Sequence, residues 1–271
     1  MAIATTRITV TIETVGPKEA EAMLGRNPRN RKLSDHRVSN LARDMAEGRW
    51  RLNGETVKFN GDGTLLDGQH RLAAVIRSGV TVPFVVVRGL ETEDQETIDH
   101  GATRTVGNAL ELRGEQDASL IAAAALLAWK IDQNDSPVQG GGIPYPSATE
   151  IIQYLDEHVE LRLSKPVGRV SNASVVRSPP SSAVALHYLM ARKSGDLSDR
   201  FWASIADGTN LTNGHPAKTL RDQLIRDLSA PRRMNRTNML ALTIKAWNFL
   251  RAGKTIRLLK WSSLEQFPQI T

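Results

Sequence analysis

Near residue 105 the spacing of apolar residues changes, and that change limits what the chain can fold into. Up to about residue 105, short strand patterns alternate with short helical ones; from about 106 onward apolar residues recur almost wholly at helical spacing. The 271 residues suit one or two domains at roughly 150 residues each. The change therefore reads as a boundary between a small mixed α/β domain, residues 1–110, and a mainly α-helical domain, residues 111–271: an α+β chain. Hydrophobic residues at 40% and charged residues at 24% match ordinary globular proteins and argue against disorder throughout.

Within the first part, Ile8, Val10 and Ile12 alternate with polar neighbours, the pattern of a half-buried strand. Gly16-Pro17 opens a short helix through Leu24. Ser34 is placed to cap a second helix, with Asp35 in its first turn, Val38, Leu41 and Met45 on one face and Gly48 at its end. Thr56–Phe59 and Thr64–Leu66 flank Asn60-Gly61-Asp62-Gly63, so a hairpin is expected. A third helix then ends near Gly79, and Val82–Val87 is a β-branched run.

Between the hairpin and the third helix stands Asp67-Gly68-Gln69-His70-Arg71. A glycine at a strand-to-helix junction lets an anion approach the free N–H groups of the first turn, and an arginine there grips phosphate. His70 suits a structural role capping the helix and touching phosphate, general base catalysis, or metal binding with Asp67, and Asp67 and His70 are the candidate catalytic pair. Spacing alone does not choose among these roles.

The run GTLLDGQHRLAAV resembles the central motif of the ParB and sulfiredoxin superfamily. Asn27-Pro28-Arg29-Asn30-Arg31, ahead of the second helix, and Ile98-Asp99-His100-Gly101-Ala102-Thr103-Arg104 stand where that family has two further segments. The resemblance implies a small α/β domain holding a nucleoside triphosphate with Mg²⁺, through Asn30, Arg31, Gly68, Gln69, His70, Arg71, Asp99 and Arg104. Gln69-His70 replaces the Glu-Arg pair of partitioning proteins, so the chain is closer to the DGQHR-bearing proteins of phages and mobile elements. Sulfiredoxin chemistry needs a cysteine, and the chain has none, which also removes disulfides, zinc fingers and thiol catalysis.

The net charge of +6 is uneven: residues 215–271 hold 11 Lys and Arg against 3 Asp and Glu, whereas residues 1–214 hold 24 against 26. Arg232, Arg233, Arg236, Lys245, Arg251, Lys254 and Arg257 are the candidate contacts to a DNA backbone. Trp247 and Phe249, on the same expected helix, are assigned to the core. The segment from Pro146 to Glu157 and the helix after it are a candidate helix-turn-helix. The longest apolar run, Leu120–Trp129, is too short to span a bilayer and the N-terminus lacks a signal-peptide core, so a cytoplasmic protein with no membrane partner is expected. Three functions stay open: a nucleotide-responsive DNA-binding protein, with double-stranded DNA, a nucleotide and a second copy as partners; a phosphotransferase or metal-dependent nuclease of the same superfamily; and a phage protein that binds a host protein.

Overall fold

Alternating residues at the start of the chain form β1 (Thr9–Val15), and Pro17, with φ already set for a helix, starts α1 (Pro17–Leu24). These and the following elements come from a computed structural model, which describes residues 8–26, 33–92, 94, 105–134, 136–137, 145–174, 176, 178–209 and 211–271. Ser34 caps α2 (Asp35–Ala46), and its hydroxyl accepts from the Arg37 N–H. The hairpin is β2 (Thr56–Asn60) and β3 (Leu65–Asp67), followed by α3 (Gln69–Ser78) and β4 (Val82–Leu90).

The sheet order is β1-β4-β2-β3; β4 runs antiparallel to β1 and parallel to β2, and β3 is antiparallel to β2. The α1, α2 and α3 helices supply Ala20, Val38, Met45, Leu72 and Val75 to a core that includes Val57, Phe59, Phe84 and Val86. This cluster covers one face of the sheet.

The other face shows where β1 departs from expectation. Register pairs Thr11 with Val86 and Glu13 with Phe84, so the odd residues of β1 share the helix-covered face. Ile8, Val10 and Ile12 point the other way and are 57%, 63% and 68% exposed. The alternation predicts the strand but not its buried side: a one-residue choice of register decides which face a strand's apolar set occupies.

The remaining elements are α4 (Val106–Leu112), α5 (Ala118–Asn134), α6 (Ala148–Glu157), a 3-10 helix (Val159–Ser164), α7 (Lys165–Ala173), α8 (Pro180–Ala191), α9 (Gly195–Asp207), α10 (Pro216–Leu228) and α11 (Arg236–Arg251). Residues 182–190 of α8 are all buried, as expected of a helix enclosed on every side, and α5, α7, α9 and α11 pack around it. The chain divides into Met1–Thr103 with Pro144–Thr149, and Arg104–Ile143 with Glu150–Thr271. That boundary lies before 110/111 because α4 packs on α5 and Leu110, 1% exposed, belongs to the helical core. Residues 145–147 return to the first unit, where Arg43 donates to the Tyr145 carbonyl and Ser147 to Asp44.

On α11, Leu240, Ala241, Leu242, Thr243, Ile244, Ala246 and Trp247 are all buried, which is more than a single stripe. The chain after α11 runs back along it: Trp247 Nε1 donates to the Thr271 carbonyl at 3.1 Å and Asn248 Nδ2 to the Gln269 carbonyl at 2.7 Å, while Leu259 and Phe267 are buried. Trp247 is therefore a core residue, and Phe249 is half-buried. The link from α6 to α7 is the 3-10 helix rather than a tight turn of three or four residues. Among the described residues no helix is long and apolar enough to cross a membrane.

Candidate phosphate site and basic surface

β3 ends at Asp67 and α3 begins at Gln69, so the chain turns at one residue, Gly68, with φ 104°. A Cβ there would meet Val57 Cγ2 at 3.1 Å and Val57 Cα at 3.2 Å. Both the left-handed backbone and the close approach to β2 demand glycine. Having no side chain, Gly68 also offers no cap to the first-turn N–H groups of α3.

Arg71, one turn in, reaches back toward β2. Its Nη2 donates to the Thr56 carbonyl at 2.7 Å and to Asp67 Oδ2 at 3.0 Å, and its Nη1 donates to Glu55 Oε2 at 2.8 Å. Nε is buried and has no hydrogen-bond partner among the described residues. The three acceptors differ in permanence: Thr56 offers backbone, Asp67 is 15% exposed, and Glu55 is 63% exposed.

Asp67 is the hub of this arrangement. Lys58 Nζ lies 3.0 Å from Oδ2, and Oδ1 accepts from the Gly68 N–H at 2.6 Å. Burial alone would raise its pKa, but Arg71, Lys58 and that N–H together hold the carboxyl below its ordinary value. Asp67 thus carries no proton at neutral pH, and as a doubly paired carboxylate it is a poor base.

The His70 Nε2 accepts the Ser34 N–H at 3.0 Å. The lone pair is spent on the entry to α2, which puts the proton of the neutral ring on Nδ1. Gln69 is 6% exposed, hence buried. Asp67, Gly68, Gln69, His70 and Arg71 therefore stand together, as their contiguity requires. Asn30, Arg31, Asp99 and Arg104 lie outside the described residues. Sequence reading missed Glu55, Lys58 and the Thr56 carbonyl; the hairpin could have supplied Lys58, which stands opposite Asp67 in the β2/β3 register.

A separate groove of about 410 Å³ lies between α2 and α3, lined by Leu33, Val38, Ala73 and Ile76, and none of Asp67, Gly68, Gln69, His70 and Arg71 lines it. An ion pair of 2.6 Å between Arg77 and Asp35 borders it.

In the helical unit the seven expected DNA contacts separate by environment. Arg236 donates to Ser182 at 2.9 Å and Ser181 at 3.1 Å, and burial lowers its pKa. Lys245 is held by Glu265 at 2.9 Å and the Lys260 carbonyl at 2.6 Å. Arg233 caps the end of α10 through the Leu228 carbonyl at 3.3 Å. Arg232, Arg251, Lys254 and Arg257 are exposed and have no side-chain partner among the described residues, and Lys260 joins them. Arg232 precedes α11 and the other four end or follow it; 16 residues of helix separate the groups by roughly 24 Å at 1.5 Å per residue.

Sequence reading also missed a relay in the same unit. Ser164 Oγ lies 2.7 Å from His187 Nδ1, and His187 Nε2 lies 2.8 Å from Asp199 Oδ1. Three residue types of a hydrolase triad are in line, but Ser164 is 2% exposed and no substrate carbonyl can reach its oxygen in this conformation. The relay ties the 3-10 helix to α8 and α9. Among the described residues no group of three or more His, Asp or Glu side chains is placed to hold a metal ion.

No protein-family model, no curated protein and no solved structure matches the chain.

Proposed function

We propose that the chain is a ParB-like, nucleotide-responsive DNA-binding protein, in which the start of α3 takes the phosphates of a nucleoside triphosphate and the cations after α11 take the DNA backbone. The observation that carries the reading is the state of Arg71. Thr56 and Asp67 fix its guanidinium, Nε has no partner among the described residues, and Nη1 rests on the exposed carboxylate of Glu55. An incoming phosphate displaces Glu55 and gains an arginine already in place, beside a helix start that has no side-chain cap. Magnesium comes as the nucleotide's own counterion, since Asp67 is taken by Lys58 and Arg71. The same pairing favours binding over acid–base chemistry at Asp67.

Arg251, Lys254, Arg257 and Lys260 carry the DNA part of the proposal. They are close in the chain and exposed, so each phosphate they neutralise releases counterions. Arg236 and Lys245 are left to hold the helical unit together.

The experiment is a binding and turnover panel of ribonucleoside triphosphates with Mg²⁺, with and without duplex DNA, on the wild type and Arg71→Lys. Saturable binding of one nucleotide, weakened at least tenfold by the substitution and altered by DNA, is the expected result. A wild type that binds none of them overturns the nucleotide reading.

A further inference from the structure

The two edges of the sheet are built differently. The β3 edge is three residues long, has irregular register against β2, and ends in the paired Asp67. Such an edge discourages further pairing. β1 is seven residues long and pairs evenly with β4 along its length. It has no proline or lysine, and its one charge, Glu13, is held by Arg88 on the helix-covered face. None of the usual protections of a free edge is present among the described residues.

The exposed side of the same strand is apolar. Val10 and Ile12 stand beside the half-buried Val87 and Val85 of β4, their register neighbours, and Ile8, just before the strand, is exposed as they are. At its end β1 follows the usual order, with Val15 in the core and Thr14 exposed, but from residue 8 to 13 the chain places threonines and Glu13 on the helix-covered face and isoleucine and valine on the solvent face. This inverts the usual order for a half-exposed strand, and contiguous apolar surface of this kind marks an interaction site.

We infer that β1 pairs antiparallel with β1 of a second copy of this chain, joining two four-stranded sheets into one of eight strands. The segment from Ile8 to Ile12 complements itself. With the two-fold axis at Val10, Ile8 of each copy stands opposite Ile12 of the other, Val10 opposite Val10, and Thr9 opposite Thr11, so no like charges meet. Every apolar side chain of the exposed row then gains an apolar cross-strand neighbour, and the row runs unbroken through both copies. The pairing is isologous and closes at two, because each copy has one such edge. Arg71 and Gly68 lie toward the β3 edge, so this inference does not rest on the nucleotide reading and can fail without it.

The test is sedimentation of the full chain without nucleotide, over micromolar to hundred-micromolar concentrations, for wild type and Val10→Lys. Because the chain has no cysteine, single-cysteine variants add a direct readout. Cysteines at position 10 face each other across the axis, whereas those at position 14 are roughly 26 Å apart along the paired strands. The expected result is a wild type at twice the chain mass, a Val10→Lys variant at the single-chain mass with unchanged circular dichroism, and oxidative cross-linking of Val10→Cys but not of Thr14→Cys. A wild type at the single-chain mass throughout overturns the inference, as does a dimer unmoved by Val10→Lys or equal cross-linking at both positions. If Val10→Lys does not fold, the cysteine pair decides.

Discussion

Arg71, in the first unit, sits at a helix start and is held by a backbone carbonyl and two carboxylates; Arg251, Lys254, Arg257 and Lys260, at a helix end in the second unit, have no side-chain partner among the described residues. Both groups stand out as basic residues in the sequence. What separates them is the local supply of acceptors. The hairpin ahead of α3 brings Glu55 and Asp67 around Arg71, whereas Glu265 is the only acid after residue 227 and Lys245 has taken it. Charge near the α3 motif is built into the fold, and charge after α11 is left to solvent or to a ligand.

The rigidity of the α3 site depends most on Gly68. Gly68→Ala must accept a positive φ and a Cβ 3.2 Å from the backbone of β2, a combined strain expected to cost about 2–4 kcal/mol. Urea unfolding followed by circular dichroism measures it. A loss below about 1 kcal/mol would mean that the turn relaxes easily and that the α3 site is not rigid.

Removing Asp67 is the next largest effect. Its depressed pKa means that its share of stability is complete above the ordinary carboxyl value of 3.8 and is lost as the pH falls through the lower folded value. Stability of the wild type should therefore drop below about pH 4, and Asp67→Asn should flatten that part of the acid limb. Asp67→Asn also leaves Lys58 and Arg71 without their shared anion, at a cost of roughly 2–3 kcal/mol at neutral pH. Unfolding midpoints across the acid range check both statements.

Two substitutions sharpen the contrast inside the helical unit. Lys245→Ala removes the tie to Glu265 and the Lys260 carbonyl and should lower stability by about 1 kcal/mol while leaving DNA affinity nearly unchanged. The triple change Arg251→Glu, Lys254→Glu and Arg257→Glu should do the reverse. Stability should shift by no more than about 0.5 kcal/mol per site. The slope of log affinity against log salt should shrink by about 0.9 for each phosphate that is no longer neutralised. Fluorescence anisotropy with a labelled duplex at several salt concentrations reads that slope, and equal effects from both variants would erase the distinction between held and free cations.

Much of the fold is legible in the sequence because local signals are strong. Ser34, Gly48 and the turn at Asn60–Gly63 mark element ends by their own chemistry, and α2, the β2/β3 hairpin and α3 follow. The face of β1 is not legible, since it depends on register against β4, which lies some seventy residues away in the chain. The burial of α11 on several sides is hidden for a similar reason, because the segment that covers it follows it and has no regular period. At the site, contiguity makes Asp67–Arg71 visible as a group. Availability is not visible: that Glu55 and the Thr56 carbonyl meet Arg71, or that Ser181 and Ser182 hold Arg236, requires the fold.

In the proposed function Arg71 binds the phosphate and Glu55 is its replaceable partner. Titration of Glu55→Gln with the triphosphate that binds the wild type, followed by isothermal calorimetry, addresses it directly. Removing the competing carboxylate should tighten binding several-fold while leaving the unfolding midpoint nearly unchanged, since Glu55 is largely exposed. Unchanged or weaker binding by a folded Glu55→Gln variant would show that phosphate does not take the place of Glu55 on Arg71, and would contradict the claim.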